Sequence, residues 1–174
     1  MSPKPEKSAL EKPAPHTRGM TPFINAKVPG LWTYYCCSQS VGVSNRFIAM
    51  PLWRTRSIGL QFYKFNIVGF LHWGYNFYNA SLSKGTINPY LDTCANYSFP
   101  AGDAFSVYPA QNGEALESIR ILSFFEALQD VRAFRLAEQL IGRERVVEEI
   151  ESIFGEEIRF DQCAPSAQSL LAIR

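Results

Sequence analysis

Short runs of apolar, β-branched and aromatic residues alternate along the chain with stretches that have a helical period. The three runs cover 31–37, 67–73 and 104–109, and each begins about 36 residues after the one before it. Between the first two runs, the apolar residues of 51–65 recur at roughly helical spacing. An interval of about 36 residues is the length of a strand, a helix and two loops. The pattern therefore predicts three successive βα units.

A long helical stripe dominates the C-terminal third. Apolar residues recur every three or four positions across 114–141, and Gly142 marks a C-terminal stop. A second helix is expected at 143–154. The remaining residues predict a short strand at 158–160 and a last amphipathic turn near Leu170.

The proline content divides the chain into a leader, a domain and a tail. Residues 1–22 contain five prolines and have no apolar period, so we expect a disordered leader there. The domain is expected to occupy 23–160, with a tail at 161–174. Within the domain, the connection 74–103 is rich in Asn, Gly, Pro and Tyr. Loops of that length in a compact domain are uncommon and usually functional.

Composition narrows the possible functions. The chain has 174 residues, 47% hydrophobic and 19% charged, which is typical of a globular domain. A net charge of +1 without a dense Lys/Arg cluster argues against nucleic acid or a membrane surface as a partner. The four cysteines lack zinc-site spacing and no glycine-rich phosphate loop occurs, so no metal or other cofactor is expected. The sequence contains neither a transmembrane-length apolar run nor a signal-like core, which leaves the compartment undetermined.

Aromatic and polar side chains gather where the predicted strands end. Flat rings beside amide and imidazole donors suit a sugar. The candidate residues are Trp32, Tyr34, His72, Trp73, Tyr75 and Asn76. Two of them have ordinary alternatives, since His72 fits a packed, hydrogen-bonded histidine and Trp73 fits a core ring.

Carboxylates are scarce in this part of the chain. Between Lys12 and Gly113 only Asp92 and Asp103 occur, and they could form the carboxyl pair of a glycosidase. The alternative is that such an aspartate caps a turn. Arg120, at the start of the long helix, is expected to form a buried ion pair with an acidic residue of the same helix.

Five ordered motifs in the sequence are similar to the end of the catalytic domain of glycoside hydrolase family 123. They cover 31–37, 45–52, 69–76, 102–109 and 117–130. The resemblance implies a (β/α)₈ TIM barrel that removes terminal β-linked N-acetylgalactosamine by a substrate-assisted, retaining route. In such a route the sugar's own acetamido oxygen attacks, and an adjacent Asp-Glu pair orients that group and handles the protons.

This sequence contains no Asp-Glu dipeptide. The resemblance therefore implies a partial TIM barrel, roughly the last three βα units plus C-terminal helices, and a C-terminal fragment that lacks the catalytic pair. By itself the chain is expected not to hydrolyse a glycoside. Its expected partners are a glycan with a terminal N-acetylhexosamine and the N-terminal half of the barrel.

The family's strand-end positions match most of the candidate residues, and two further positions match the turn and strand that close the pocket wall. The first group is Trp32, Tyr34, Trp73, Tyr75 and Asn76, and the second is Asp103 and Tyr108. His72 stands where relatives often have another aromatic residue. The alternative function is a carbohydrate-binding module without catalysis, and a third possibility is a purely structural surface.

Overall fold

The computed structural model describes residues 12–173 and contains a pair of short parallel strands. Strand β1 (Trp32–Thr33) pairs with β2 (Gly69–Phe70), and Trp32 lies opposite Gly69. The pairing extends past the short strands, because the Val68 amide donates to the Leu31 carbonyl at 3.0 Å. The first two predicted strands are therefore confirmed as a parallel pair.

An extended segment before β1 lies alongside this sheet and forms backbone hydrogen bonds with it. The Trp32 amide donates to the Pro13 carbonyl, and the Thr17 amide donates to the Tyr34 carbonyl, both at 3.0 Å. A 3₁₀ turn and helix α1 (Thr21–Asn25) then lead to β1. The disordered leader predicted from the prolines thus includes residues that pack on β1, because main-chain hydrogen bonds to a neighbour do not require an apolar period. The earlier part of that leader lies outside the described residues.

Two consecutive helices connect β1 to β2 where the sequence predicted one. They are α2 (Leu52–Arg56) and α3 (Ile58–Lys64). At the break, the Ser57 hydroxyl donates to the Trp53 carbonyl at 2.8 Å. A serine that bonds back to the carbonyl four residues earlier bends a helix, which explains the division.

Three further helices follow, and the boundary between the first two agrees with the sequence pattern. They are α4 (Ile119–Ile141), α5 (Arg143–Phe154) and α6 (Ala167–Ala172). Gly142 separates the first two with φ at 82°, a value that favours glycine, so the predicted stop is confirmed. The α4 helix begins at Ser118, whose side chain accepts a hydrogen bond from the backbone and caps the helix.

The third predicted strand belongs to a separate sheet. Strand β3 (Val107–Pro109) pairs with β4 (Ala115–Glu117) as an antiparallel hairpin, separate from the β1–β2 sheet. The predicted third βα unit is therefore wrong, and the long helix begins after β4 instead of at residue 114. The strand expected at 158–160 is also absent from the structure described for 12–173. The mixed α/β class is confirmed.

Two hydrophobic clusters stabilise these elements. The larger one joins the sheet to α3, α4 and α5, and its most deeply buried members include Met20, Tyr35, Ile58, Leu60, Ala127 and Leu170. The α3 and α4 helices approach so closely that a Cβ at Gly59 would overlap the Ala127 carbonyl. The smaller cluster lies within the connection between β2 and β3 and centres on Ala95, Ala104 and Phe105. In the part of the chain described here, no helix is both long and apolar enough to cross a membrane.

Candidate functional site

Arg46 gathers three segments at the carboxyl edge of the sheet. Its Nη2 donates to the backbone oxygens of Trp73 at 2.6 Å and Asp103 at 2.8 Å, and its Nη1 donates to that of Tyr35 at 3.4 Å. The parallel β1 and β2 strands both end at this edge. The guanidinium therefore joins both strand ends to the long connection that follows β2. Sequence reasoning missed Arg46, although an isolated charge between Val43 and Phe47 was a usable signal.

Arg120 is a second buried arginine that binds backbone at this edge. Its Nη1 donates to the carbonyl of Gly102 at 2.6 Å and to that of Arg46 at 3.2 Å. Burial lowers the pKa of its guanidinium. Arg120 was expected to form an ion pair within its own helix, but its guanidinium instead donates to these carbonyl groups. Asp130 of that helix accepts two hydrogen bonds from Arg56, at 2.6 and 2.8 Å.

The Asp103 carboxylate is fully enclosed behind the strand ends. Its residue has no exposed area, and Oδ1 lies 3.7 Å from Arg46 Nη2. Burial raises the pKa of this carboxyl, and the nearby Arg46, the Trp73 indole and the Cys37 amide lower it less. Neither carboxylate oxygen has a well-aligned hydrogen bond to a described residue. Asp103 was expected to line the sugar pocket, but the structure presents its side chain to Arg46 and not to solvent.

Asp92 caps a turn in the long connection. Its Oδ1 accepts from the Cys94 amide at 2.9 Å and its Oδ2 accepts from the Asn96 amide at 2.7 Å. These bonds, that from Cys94 foremost, lower the pKa of the carboxyl. The turn-capping interpretation is confirmed. An acid held ionised in this way is poorly suited to protonate a leaving oxygen.

His72 is packed, hydrogen-bonded and neutral. Its Nε2 lies 3.1 Å from Ser106 Oγ, and its ring lies 5.7 Å from the Phe124 ring and 5.4 Å from the Tyr75 ring. Burial, followed by the charges of the two buried arginines, lowers its pKa to about 3. The packed-histidine interpretation is confirmed. The ring nevertheless supports Tyr75, which is 44% exposed.

Trp32 and Tyr34 lie on the opposite face of the sheet from the helices. The Trp32 indole covers Gly69, where a Cβ would overlap the ring, and the Lys12 ammonium lies 5.8 Å from its centroid. Tyr34 makes an edge contact with His16, with ring centroids 6.3 Å apart. Side chains two residues apart on a strand share a face, so both half-buried rings line the side of the sheet that faces away from the helices.

The other predicted residues divide between the packed loop and the surface. Trp73 is half-buried, with its ring 5.3 Å from that of Phe99. Asn76 is exposed, and its backbone pairs with Phe105. Tyr108 is half-buried, with its ring 5.3 Å from the Phe105 ring. The structure thus brings Tyr75, Asn76 and Tyr108 to one region and leaves Trp32 and Tyr34 on another face.

The arrangement offers aromatic faces, an amide and neutral hydroxyls. Across residues 12–173, no group of three His, Cys, Asp or Glu side chains is placed to hold a metal ion. Cys36 and Cys37 are free thiols with their sulfurs 4.0 Å apart. These groups can stack on a flat apolar ring face and exchange hydrogen bonds with hydroxyls.

Comparison with known proteins identifies the family. A search of curated proteins found no match. The model of the family described as glycoside hydrolase 123, catalytic domain, matches residues 9–137, which is well over half of the chain. The chain therefore belongs to the glycoside hydrolase 123 catalytic domain family.

Proposed function

We propose that this chain forms the sugar-binding side of a glycoside hydrolase site for a terminal β-linked N-acetylgalactosamine. The observation that carries the proposal is the position of Tyr75, which is half-exposed beside the neutral His72 ring just beyond β2. In α/β folds with parallel strands, ligands bind beyond the carboxyl ends of the strands. Family membership supports a glycoside as the ligand.

Each exposed group has a separate role in this proposal. The Tyr75 ring stacks on the apolar face of the sugar, and the exposed Asn76 amide exchanges hydrogen bonds with its hydroxyls. Tyr108 closes the wall on the β3 side. Trp32 and Tyr34 form a second wall on the open face of the sheet, within a partial TIM barrel. The half-buried Trp73 and the enclosed Asp103 side chains position the connection that carries Tyr75 and Asn76.

The proton-handling groups come from other polypeptide in this proposal. The sequence has no adjacent Asp-Glu pair, Asp103 is enclosed, and Asp92 is held ionised by turn amides. In the proposed substrate-assisted route, the acetamido oxygen of the sugar attacks the anomeric carbon while an aspartate orients it. A glutamate protonates the leaving oxygen and later activates water. The residues of this chain hold the sugar for that attack.

The complementing polypeptide would cover the free edge of β2. A groove of about 460 Å³ separates β2 from α4, and its lining includes Phe62, Phe70, Phe124, Phe125 and Leu128. Val68 is 55% exposed beside it. Among residues 12–173, β2 pairs with β1 alone, and an apolar surface next to such a strand edge is one that proteins cover with another strand or helix. This supports a neighbouring strand as the occupant.

Titration with N-acetylgalactosamine, followed by tryptophan fluorescence, tests the sugar site. We expect saturable quenching that Tyr75→Ala weakens at least about fivefold, because an aromatic stacking face is lost. Tyr97→Ala is the matched control, since Tyr97 is 94% exposed on the same connection. Absence of saturable binding by the unmodified chain would refute the proposal.

A chromogenic N-acetylgalactosaminide tests the catalytic part separately. We expect no turnover by the chain alone. Turnover that Asp92→Ala or Asp103→Ala abolished would show that this chain contains the proton-handling groups and that the division of the site proposed here is wrong.

A carbohydrate-binding module without catalysis is the second candidate. The observation in its favour is that both aspartates between Lys12 and Gly113 are engaged structurally, while Tyr75 and Asn76 remain exposed. The two candidates differ in whether any complementing polypeptide restores turnover. Sugar binding without such restoration favours the module.

A further inference from the structure

A row of tyrosines extends outward from His72 across the long connection. The ring of Tyr75 lies against His72, and that of Tyr90 lies 5.2 Å from Tyr108, with an angle of 35° between the planes. Tyr78 is near Tyr75, Tyr90 and Tyr108, and its hydroxyl donates to the Val107 carbonyl at 2.8 Å. Burial, and then the hydroxyls of Tyr90, Tyr75 and Tyr108, raise the pKa of Tyr78. The four phenols therefore share one region of the surface.

Tyr90 is held in place and yet is half-exposed. Its hydroxyl donates to the Pro109 carbonyl at 2.8 Å, and its amide donates to Asn88 Oδ1 at 3.0 Å. One side of the ring packs on Tyr108, while 54% of the residue remains exposed. A ring whose orientation is already set loses little conformational freedom when a ligand stacks on it.

Tyr97, on the same connection, provides a contrast. It is 94% exposed, which leaves its ring without comparable burial. The hydroxyl of Tyr90 and one face of its ring hold the loop against β3. The opposite face of Tyr90 remains available to a ligand.

We infer that Tyr90 is the stacking platform for the second sugar of the substrate, next to the terminal sugar held at Tyr75. This inference rests on the proposed function and assigns a residue to the position next to the terminal sugar. Tyr108 supports the platform from behind, and the phenol hydroxyls along the row exchange hydrogen bonds with the sugar hydroxyls.

Calorimetric titration with two probes tests the inference. The probes are methyl N-acetyl-β-galactosaminide and a disaccharide in which the same sugar is β-linked to galactose. We expect the disaccharide to bind at least about fivefold more tightly than the methyl glycoside, owing to the added stacking. Tyr90→Ala should remove this gain and leave the methyl glycoside affinity unchanged. Tyr90→Phe keeps the ring and should retain most of the gain, and Tyr97→Ala is the control that should retain all of it.

The alternative outcomes are distinct. Equal affinity for both probes, or a gain that persists in Tyr90→Ala, would overturn the platform while leaving the terminal-sugar site intact. Failure of the unmodified chain to bind either probe would instead overturn the proposed function, and with it this inference. An unchanged methyl glycoside affinity in Tyr90→Ala shows that the variant is folded.

Discussion

Arg46 Nη2 lies 3.7 Å from Asp103 Oδ1 and 2.8 Å from the backbone oxygen of the same residue, and both side chains are almost completely buried. The pair connects the end of the long connection to the loop that follows β1. Because the same guanidinium also binds the carbonyls of Tyr35 and Trp73, its loss leaves several buried acceptors without a donor.

The first prediction concerns this pair. Arg46→Met should lower the free energy of unfolding by about 3–5 kcal/mol, because it leaves a buried carboxylate and three carbonyls unpaired. Asp103→Asn should cost less, since a neutral amide of the same shape avoids the desolvation of a charge. Urea unfolding monitored by circular dichroism measures both. Arg145→Met is the control, because Arg145 pairs with Glu148 at the surface and should contribute less than about 1 kcal/mol. Equal losses of unfolding free energy in Arg46→Met and Arg145→Met would show that the buried contacts of Arg46 do not stabilise the fold.

His72 should make stability depend on pH. Its folded-state pKa is lowered from 6.5 to about 3, so its stabilising contribution is complete above pH 6.5 and is lost as pH falls towards 3. The loss is on the order of 4 kcal/mol over that window. His72→Phe keeps the ring packing against Phe124 and removes the titration. Urea midpoints measured between pH 8 and 4 should therefore fall more steeply for the unmodified chain than for the variant, and parallel curves would rule this out.

Gly69 should be intolerant of a side chain because the Trp32 indole covers it. Gly69→Ala is expected to cost about 1–3 kcal/mol and to shift the tryptophan emission as the ring moves away. Gly85→Ala is the matched control, since no atom lies within 4 Å of a Cβ built there. If both variants unfold at the same urea concentration, the indole does not occupy this position in solution.

The bond between Arg56 and Asp130 should be a major link between α2 and α4. Both side chains are largely buried, and the guanidinium binds the two carboxylate oxygens together. Arg56→Met and Asp130→Leu should each destabilise the fold by about 3–5 kcal/mol, because each removes a largely buried ion pair with two hydrogen bonds. The double variant should lose less than the sum of the two, since both single variants break the same interaction. Additive losses in thermal or urea unfolding would show that the two side chains do not interact.

Local sequence signals predicted much of the secondary structure. Glycines at helix ends, together with the apolar period, located the boundary at Gly142 and the second helix at 143–154. The β-rich runs located β1 and β2, and their parallel pairing followed from the helical stretch between them. These features depend on the residue types and side-chain spacing within one segment, and both can be read directly from the sequence.

Partners distant in sequence were decided only by the tertiary structure. A run of alternating residues does not specify its neighbour, so 104–109 formed a hairpin with 115–117 in place of a third parallel strand.

The roles of the charged residues were decided in the same way. Desolvation depends on what surrounds a group in space. Asp103 was predicted to line the pocket, but the surrounding segments bury it beside Arg46. The sequence by itself determined the family motifs, the main helices and the aromatic strand ends. The three-dimensional packing decided which of those rings remain exposed, because exposure results from contacts between segments far apart along the chain.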